Sequence, residues 1–255
     1  MVTPDLSTQA RITYTGHATV LIELDGVRVL TDPLLRARVL HLRRRARATP
    51  EPLRALDAVL VSHAHWDHLD PRSLERLGRD TLVVVPRGAG RLLERRRFSD
   101  VVEIDAGGEI AIGALTVHAT PAEHSGSRGP FGVTAPALGF VVSGSKRVYF
   151  AGDTDLFDGM AELAPLDVAL VPVSGWGRRL PAGHLDPRRA AEALRLLEPR
   201  IAVPIHWGTY SVMTLRRPTW NSLRAPAQEF ARHAAELTPE VQVRVLAPGE
   251  SLELA

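Results

Sequence analysis

Cysteine is absent from this 255-residue chain. That excludes a disulfide framework, a thiolate metal site and a thiol nucleophile. Lysine is almost absent: of 31 basic residues only Lys146 is not arginine, a bias that, with abundant Ala and Pro, points to a GC-rich genome rather than to a chemical demand. Aromatic residues make up 5% of the chain. No apolar run approaches the roughly 18 residues of a membrane-spanning helix. The opening stretch MVTPDLSTQARITYTG has neither a basic nor an apolar region, so no signal peptide is expected. An excess of one charge is lacking too. The formal net charge is +2 and basic stretches interleaved with aromatics are missing, which argues against a nucleic-acid partner despite a pI near 9.5. What remains is globular: 45% hydrophobic, 24% charged, with a mean hydropathy of −0.03. A soluble, cytoplasmic protein is expected, folded as one domain over residues 1–255.

Twenty glycines and 19 prolines punctuate short apolar runs. Ile12–Tyr14, Val20–Leu24 and Val27–Thr31 read as consecutive strands, with Asp25-Gly26 as a hairpin turn. Ala58–Val61 and Leu82–Val85 are wholly apolar and suit strands buried on both faces. Further strands are expected at Val101–Ile104, Leu115–Thr120, Gly139–Val142, Arg147–Ala151, Val168–Pro172, Ile201–Pro204 and Val241–Leu246. Asp70-Pro71 and Asp186-Pro187 each place a capping carboxylate before a proline at the first helical position, predicting helices over Arg72–Leu77 and Arg188–Leu197. Pro226–Leu237 reads as a third helix. No repeat and no linker divides the chain. Early strands that meander and later strands that alternate with helices predict two packed sheets with helices outside.

The ten histidines carry the chemistry. His17, His41, His118 and His233 stand alone, and the plain reading of each is a structural or surface residue. Ser62-His63-Ala64-His65-Trp66-Asp67-His68 is different. It directly follows a buried strand, and three imidazoles with a carboxylate are not what packing requires. His63 and His65 are two apart, so in extended backbone they point the same way and can chelate one ion. Asp67 and His68 come one turn later and can face a second. Neutral imidazole with carboxylate suits zinc, and also manganese or iron. His124, Asp153 and His206 each follow a strand's C-terminal end, where loops assemble sites.

This constellation resembles the metallo-β-lactamase fold superfamily, whose signature is His-x-His-x-Asp-His followed in order by His, Asp and His. The likeness covers nearly the whole chain. In Gly16-His17-Ala18-Thr19-Val20, Leu30-Thr31-Asp32-Pro33, Gly183-His184-Leu185-Asp186-Pro187 and Ile205-His206-Trp207-Gly208-Thr209 it is similar to the subgroup of N-acyl-phosphatidylethanolamine-hydrolysing phospholipase D and L-ascorbate-6-phosphate lactonase. The resemblance implies an α/β fold, an αββα sandwich of two mixed sheets packed face to face. It implies two divalent metal ions, Zn²⁺ in the first place, with Mn²⁺ or Fe²⁺ as alternatives. His63, His65 and His124 would hold one, Asp67, His68 and His206 the other, and Asp153 would bridge them. A water between the metals would be the nucleophile, with Asp67 orienting it and taking its proton. His184 would serve as general acid or oxyanion stabiliser, and Asp32 would support a ligand imidazole from behind. His17 is expected to do something similar.

Departures from the wider superfamily narrow the expectation. Many lactamases of this fold use Cys or His where Asp153 stands, oxygen-reducing diiron relatives carry Glu in place of His65, and glyoxalase II typically adds a helical domain. Only 53 residues separate Asp153 from His206, too few for the inserted cap of RNA-processing relatives. The expected reaction is phospholipase D-like hydrolysis of a phosphodiester. Opening of a lactone is the alternative, and a non-catalytic metal-binding protein is a second alternative. The arginines between Arg36 and Arg47 are expected either as a solvated loop or as an anion funnel. Interleaved with Leu34, Leu35, Val39, Leu40 and Leu42, they also allow a membrane surface as a less favoured partner. The substrate expected is a small molecule or lipid-like ester. The loops Trp176-Gly177-Arg178 and Met213–Trp220 are candidates to meet it or a second copy of the chain in a homo-oligomer.

Overall fold

The computed structural model describes residues 10–46, 53–129, 132–175, 180–213 and 218–255. In chain order its first half gives β1 (Ala10–Gly16), β2 (Thr19–Leu24), β3 (Val27–Thr31), a small hairpin of β4 (Arg38–Val39) and β5 (Leu42–Arg44), β6 (Ala58–Leu60), α1 (Pro71–Leu77), β7 (Leu82–Pro86), α2 (Arg91–Glu94) and β8 (Val101–Ile104). The second half gives β9 (Glu109–Ile112), β10 (Leu115–Pro121), β11 (Leu138–Ser143), β12 (Arg147–Phe150), β13 (Leu166–Pro172), α3 (Pro187–Leu197), β14 (Pro199–Ile205), β15 (Tyr210–Val212), α4 (Trp220–Leu237), β16 (Gln242–Val243) and β17 (Ser251–Leu254).

Two mixed sheets of seven strands result, ordered β17-β1-β2-β3-β6-β7-β8 and β16-β14-β13-β12-β11-β10-β9. Each is antiparallel on one side and parallel on the other, the parallel parts being β3-β6-β7-β8 and β12-β13-β14-β16. Period-two alternation sorts the first sheet's residues between two cores. Val20, Ile22, Val29, Leu60 and Val84 join the core shared with the second sheet. Their neighbours Leu21, Leu30, Val59, Val83 and Val85 face outward, where Leu74 of α1 and Leu93 of α2 cover them. On α3, Ala190, Leu194 and Leu197 form the buried stripe against the second sheet. The αββα sandwich is therefore the architecture, as the motifs imply. Among the described residues no helix is long and apolar enough to cross a membrane.

Both Asp-Pro caps are in place: Asp70 accepts from Ser73 N–H and Asp186 from Arg189 N–H. Three expectations need correction. Helix α4 starts at Trp220 rather than Pro226, because Thr219 caps Ser222 N–H and the proline is absorbed within the helix. The strand expected at Val241–Leu246 shrinks to β16, since the chain turns away toward Gly249, whose N–H bonds Tyr14 O and delivers β17 to the edge of the other sheet. The described part of the Arg36–Arg47 stretch is not a simple loop. Up to Arg44 it forms β4 and β5, which pair with β15 in a three-stranded sheet over a core of Leu34, Val39, Leu42 and Tyr210. Leu35 is half-buried and Leu40 alone of the five apolar residues is exposed. Arg47, the Trp176-Gly177-Arg178 loop and positions 214–217 of the Met213–Trp220 loop lie outside the described residues.

Candidate metal centre

The strands that end in expected ligands all end on one edge of the sandwich. β6 runs into His63, His65, Asp67 and His68; β10 into His124; β12 into Asp153; β14 into His206. The tight corner between β1 and β2 adds His17. Ligand atoms of His63, His65 and His124 lie within 4.8 Å of one another, and so do those of His17, Asp67, His68 and His206. His63 Nε2 is 2.9 Å from His65 Nδ1, which is 3.1 Å from His124 Nε2.

Asp153 stands between the two groups. Its Oδ2 is 3.3 Å from His68 Nε2 and 3.4 Å from His184 Nε2, and its Oδ1 is 3.4 Å from His206 Nε2. It also lies in one cluster with His124 and His184. Two donors on one tetrahedral ion at about 2.0–2.1 Å sit roughly 3.3 Å apart, so these separations fit convergence on a shared cation. Two buried polar atoms, His68 Nε2 and Asp153 Oδ1, make no hydrogen bond with the protein. Leaving such atoms unsatisfied is costly, and a cation satisfies both. The residues present fit a metal.

Outer contacts fix the rings. Asp32 Oδ2 lies 2.7 Å from His68 Nδ1, and Asp32 is itself held by Ser62 N–H at 2.7 Å and Ser62 Oγ at 2.5 Å. Ser62 Oγ is also 2.9 Å from His63 Nδ1. Gly183 O lies 2.6 Å from His124 Nδ1. Gly183 has φ +80°, and a Cβ there would stand 3.1 Å from the same Nδ1.

Electrostatics prepare the site for a cation. Burial, with the charge on His68 nearby, holds the His63 imidazole well below its usual pKa. Burial lowers His65, pushes His124 down to about 4 and His206 down to about 3. These rings are neutral and ready to ligate. Burial opposes charge on His68 as well, but Asp153, Asp67 and Asp32 outweigh it and hold that ring well above its usual value. Burial alone would raise Asp67 and Asp153, yet the surrounding imidazoles hold both well below the ordinary carboxylate range.

The structure thus brings together all eight residues singled out for metal or catalysis: His63, His65, Asp67, His68, His124, Asp153, His184 and His206. Asp32 supports His68, as expected. His17 is no surface residue: it is buried against Asp67 and His206, which fits the structural reading and brings it beside the ligand cluster. His41, His118 and His233 belong to none of the clusters. One participant was not anticipated. Arg128 is 7% exposed, donates to the carbonyls of Ala64 and Leu69, and lies 3.9 Å over the Trp66 ring. It pins the whole His63–His68 loop, and burial lowers its pKa to about 10. A lone arginine in a Gly/Ser segment offers no sequence signal for that role.

Residues 27–207 match the beta-lactamase superfamily domain. A UPF0173 metal-dependent hydrolase of Methanopyrus kandleri is 35% identical over 95% of this chain and 99% of its own. One from Carboxydothermus hydrogenoformans is 33% identical over 96% of this chain and 100% of its own. Among solved structures, the metallo hydrolase Igni18 of Ignicoccus hospitalis superposes with a TM-score of 0.71 at 25% identity, covering 97% of this chain and 99% of that one.

Proposed function

Since the chain belongs to the metallo-β-lactamase superfamily and is a metal-dependent hydrolase of it, we propose that it is a dinuclear enzyme cleaving an ester-type bond with a water shared by two divalent cations. The observation that carries this reading is Asp153, whose carboxylate oxygens lie 3.3 and 3.4 Å from His68 and His206 of the second group and which clusters with His124 of the first. His63, His65 and His124 would hold one cation, Asp67, His68 and His206 another, and Asp153 would contribute its carboxylate to both. Zn²⁺ suits this nitrogen–oxygen set, as do Mn²⁺ and Fe²⁺. Two cations bound there lower the pKa of a shared water and offset charge on the attacked group.

The chain's own residues do the rest. Asp67, 13% exposed at its side chain, is the carboxylate placed to orient the water and take its proton. His184, 12% exposed at its side chain and 3.4 Å from Asp153, presents Nε2 where a leaving oxygen or oxyanion develops. Tyr210 and Arg44 brace the wall behind His17. The Tyr210 hydroxyl donates to Leu34 O, and Arg44 donates to Leu34 O and Thr15 O.

A phosphodiester is the substrate class that the phospholipase D-like motifs favour. Opening of a cyclic ester is the second reading, and the engagement of several arginines weakens the case for an anion funnel. Arg36 is paired with Asp70, Arg44 is committed to backbone carbonyls, and Arg45 donates to Ser211 Oγ, so three of the expected funnel residues are engaged within the fold. The decisive experiment is a hydrolysis panel on metal-reconstituted protein. It sets bis-p-nitrophenyl phosphate and N-acyl phosphatidylethanolamine against acyl-homoserine and sugar-phosphate lactones, with Asp67→Asn as blank. Phosphodiester turnover that vanishes in the variant supports the first reading. Lactone turnover alone selects the second, and turnover unchanged in Asp67→Asn overturns both.

A further inference from the structure

Side chains assigned to the cations are themselves held from behind: His63 by Ser62, His68 by Asp32 and His124 by the Gly183 carbonyl. For Asp67 the corresponding contact comes from a different part of the chain. His17 Nε2 lies 3.3 Å from Asp67 Oδ2, and the His17 ring centroid is 4.2 Å from that of His206.

His17 is fixed more tightly than a corner residue requires. Its φ of +60° is in the left-handed region, which histidine enters more readily than most side chains. Its N–H donates to Thr209 Oγ1 at 2.8 Å, and its carbonyl accepts the His206 N–H at 2.7 Å. The side chain of the preceding residue must be absent: Gly16 has φ +115°, and a Cβ there would stand 2.4 Å from Thr209 Oγ1, the atom that receives the His17 N–H. His206 is itself left-handed, with φ +63°. Two strained histidine corners, from β1 and β14, are therefore locked to each other, and one of them points its ring at Asp67. Strain of this kind persists where the surroundings over-determine it, and it clusters at sites.

Building on the dinuclear reading, we propose that His17 is a positioning residue for the second cation: its Nε2–H orients the Asp67 carboxylate, setting affinity at Asp67, His68 and His206 without touching the cation. A contact of this type typically changes metal affinity by about 10–100-fold.

The test is calorimetric titration of metal-free protein with Zn²⁺, with circular dichroism and thermal melting to certify the fold. His17→Ala and His17→Gln are made in the unsubstituted chain, in His65→Ala, which keeps the second position, and in His206→Ala, which keeps the first. His17→Ala is expected to weaken binding about 10–100-fold in the His65→Ala background and to leave the His206→Ala background unchanged. His17→Gln, which retains an N–H donor, is expected to restore most of the loss. Equal weakening in both backgrounds makes His17 merely structural and overturns the proposal, as does no weakening in either. A His17→Gln variant as weak as His17→Ala makes the imidazole itself a ligand and overturns it too. If the unsubstituted chain binds a single cation, the dinuclear reading falls. The His17 proposal then stands only if that cation is lost in His206→Ala and weakened in His17→Ala.

Discussion

The two halves of the metal centre are built from different material. The first, His63, His65 and His124, is all imidazole, and two of its three rings are half-buried at the rim. The second, Asp67, His68 and His206, lies deeper, shares Asp153, and is backed by Asp32 and His17. The first half gathers neutral rings whose burial keeps protons away. In the second, carboxylates outweigh burial and hold the His68 ring well above its usual pKa. The contrast teaches that one ligand cluster can favour a cation with neutral donors while its neighbour does so with concentrated negative charge.

Asp153→Ala should break the comparison altogether, because both halves lean on one carboxylate. Metal analysis after reconstitution should find neither cation tightly held, and turnover should disappear. Next in size, His206→Ala should cost only the second cation and His65→Ala only the first. Each variant should retain a single cation on metal analysis, and loss of both cations from either variant would erase the distinction between the halves. Asp32→Asn should weaken the second cation by about 10–100-fold in a chelator competition while sparing the first, since the Asp32 carboxylate backs the His68 ring.

Arg128→Met should act on both halves through the loop that carries them. It leaves the Ala64 and Leu69 carbonyls without their donor, so a loss of about 1–3 kcal/mol in urea unfolding is expected. The smallest effect is a pH slope. In metal-free protein His124 and His206 titrate near 4 and 3, below the unfolded value of about 6.5. As pH falls from about 6.5 toward 4, the unfolded chain takes up protons that the folded chain refuses, so stability falls. His68, with its raised pKa, opposes the decline only at about pH 6.5, where the unfolded ring is half charged, and Asp67 and Asp153, with lowered ones, add to it only as pH nears about 4, where unfolded carboxylates begin to protonate. Urea midpoints should therefore decline on acidification, and His124→Gln should flatten the decline. A midpoint that rises instead would contradict neutral rings in the first half.

Much of this architecture is legible in the amino-acid sequence. Asp70-Pro71 and Asp186-Pro187 announce α1 and α3 because capping is decided within four residues. Most strands of the two sheets show as apolar runs between Gly and Pro, but β9, where exposed Glu109 and Ala111 break up the isoleucines, does not. The His63–His68 cluster is legible because ligands packed into six residues have no cheaper explanation. The rest depends on partners far away in the chain. β17 is short and half-exposed, and only its pairing with β1 makes it a strand. β4 and β5 exist because β15 lies beside them. Nothing local marks Arg128, whose acceptors lie 59 and 64 residues away.

The sequence by itself determined the kinds of donor, their order along the chain and the strand ends that carry them. Those are local matters of residue type, periodicity and capping. Only the tertiary structure decided which donors face the same point, that Asp153 sits between the two groups, that His17 reaches Asp67, and that the arginines of β4 and β5 serve the fold. Those outcomes depend on the stacking of two sheets and on corners meeting across nearly 190 residues, as His17 and His206 do. Convergence of that kind is a property of packed elements, and no window of sequence contains it.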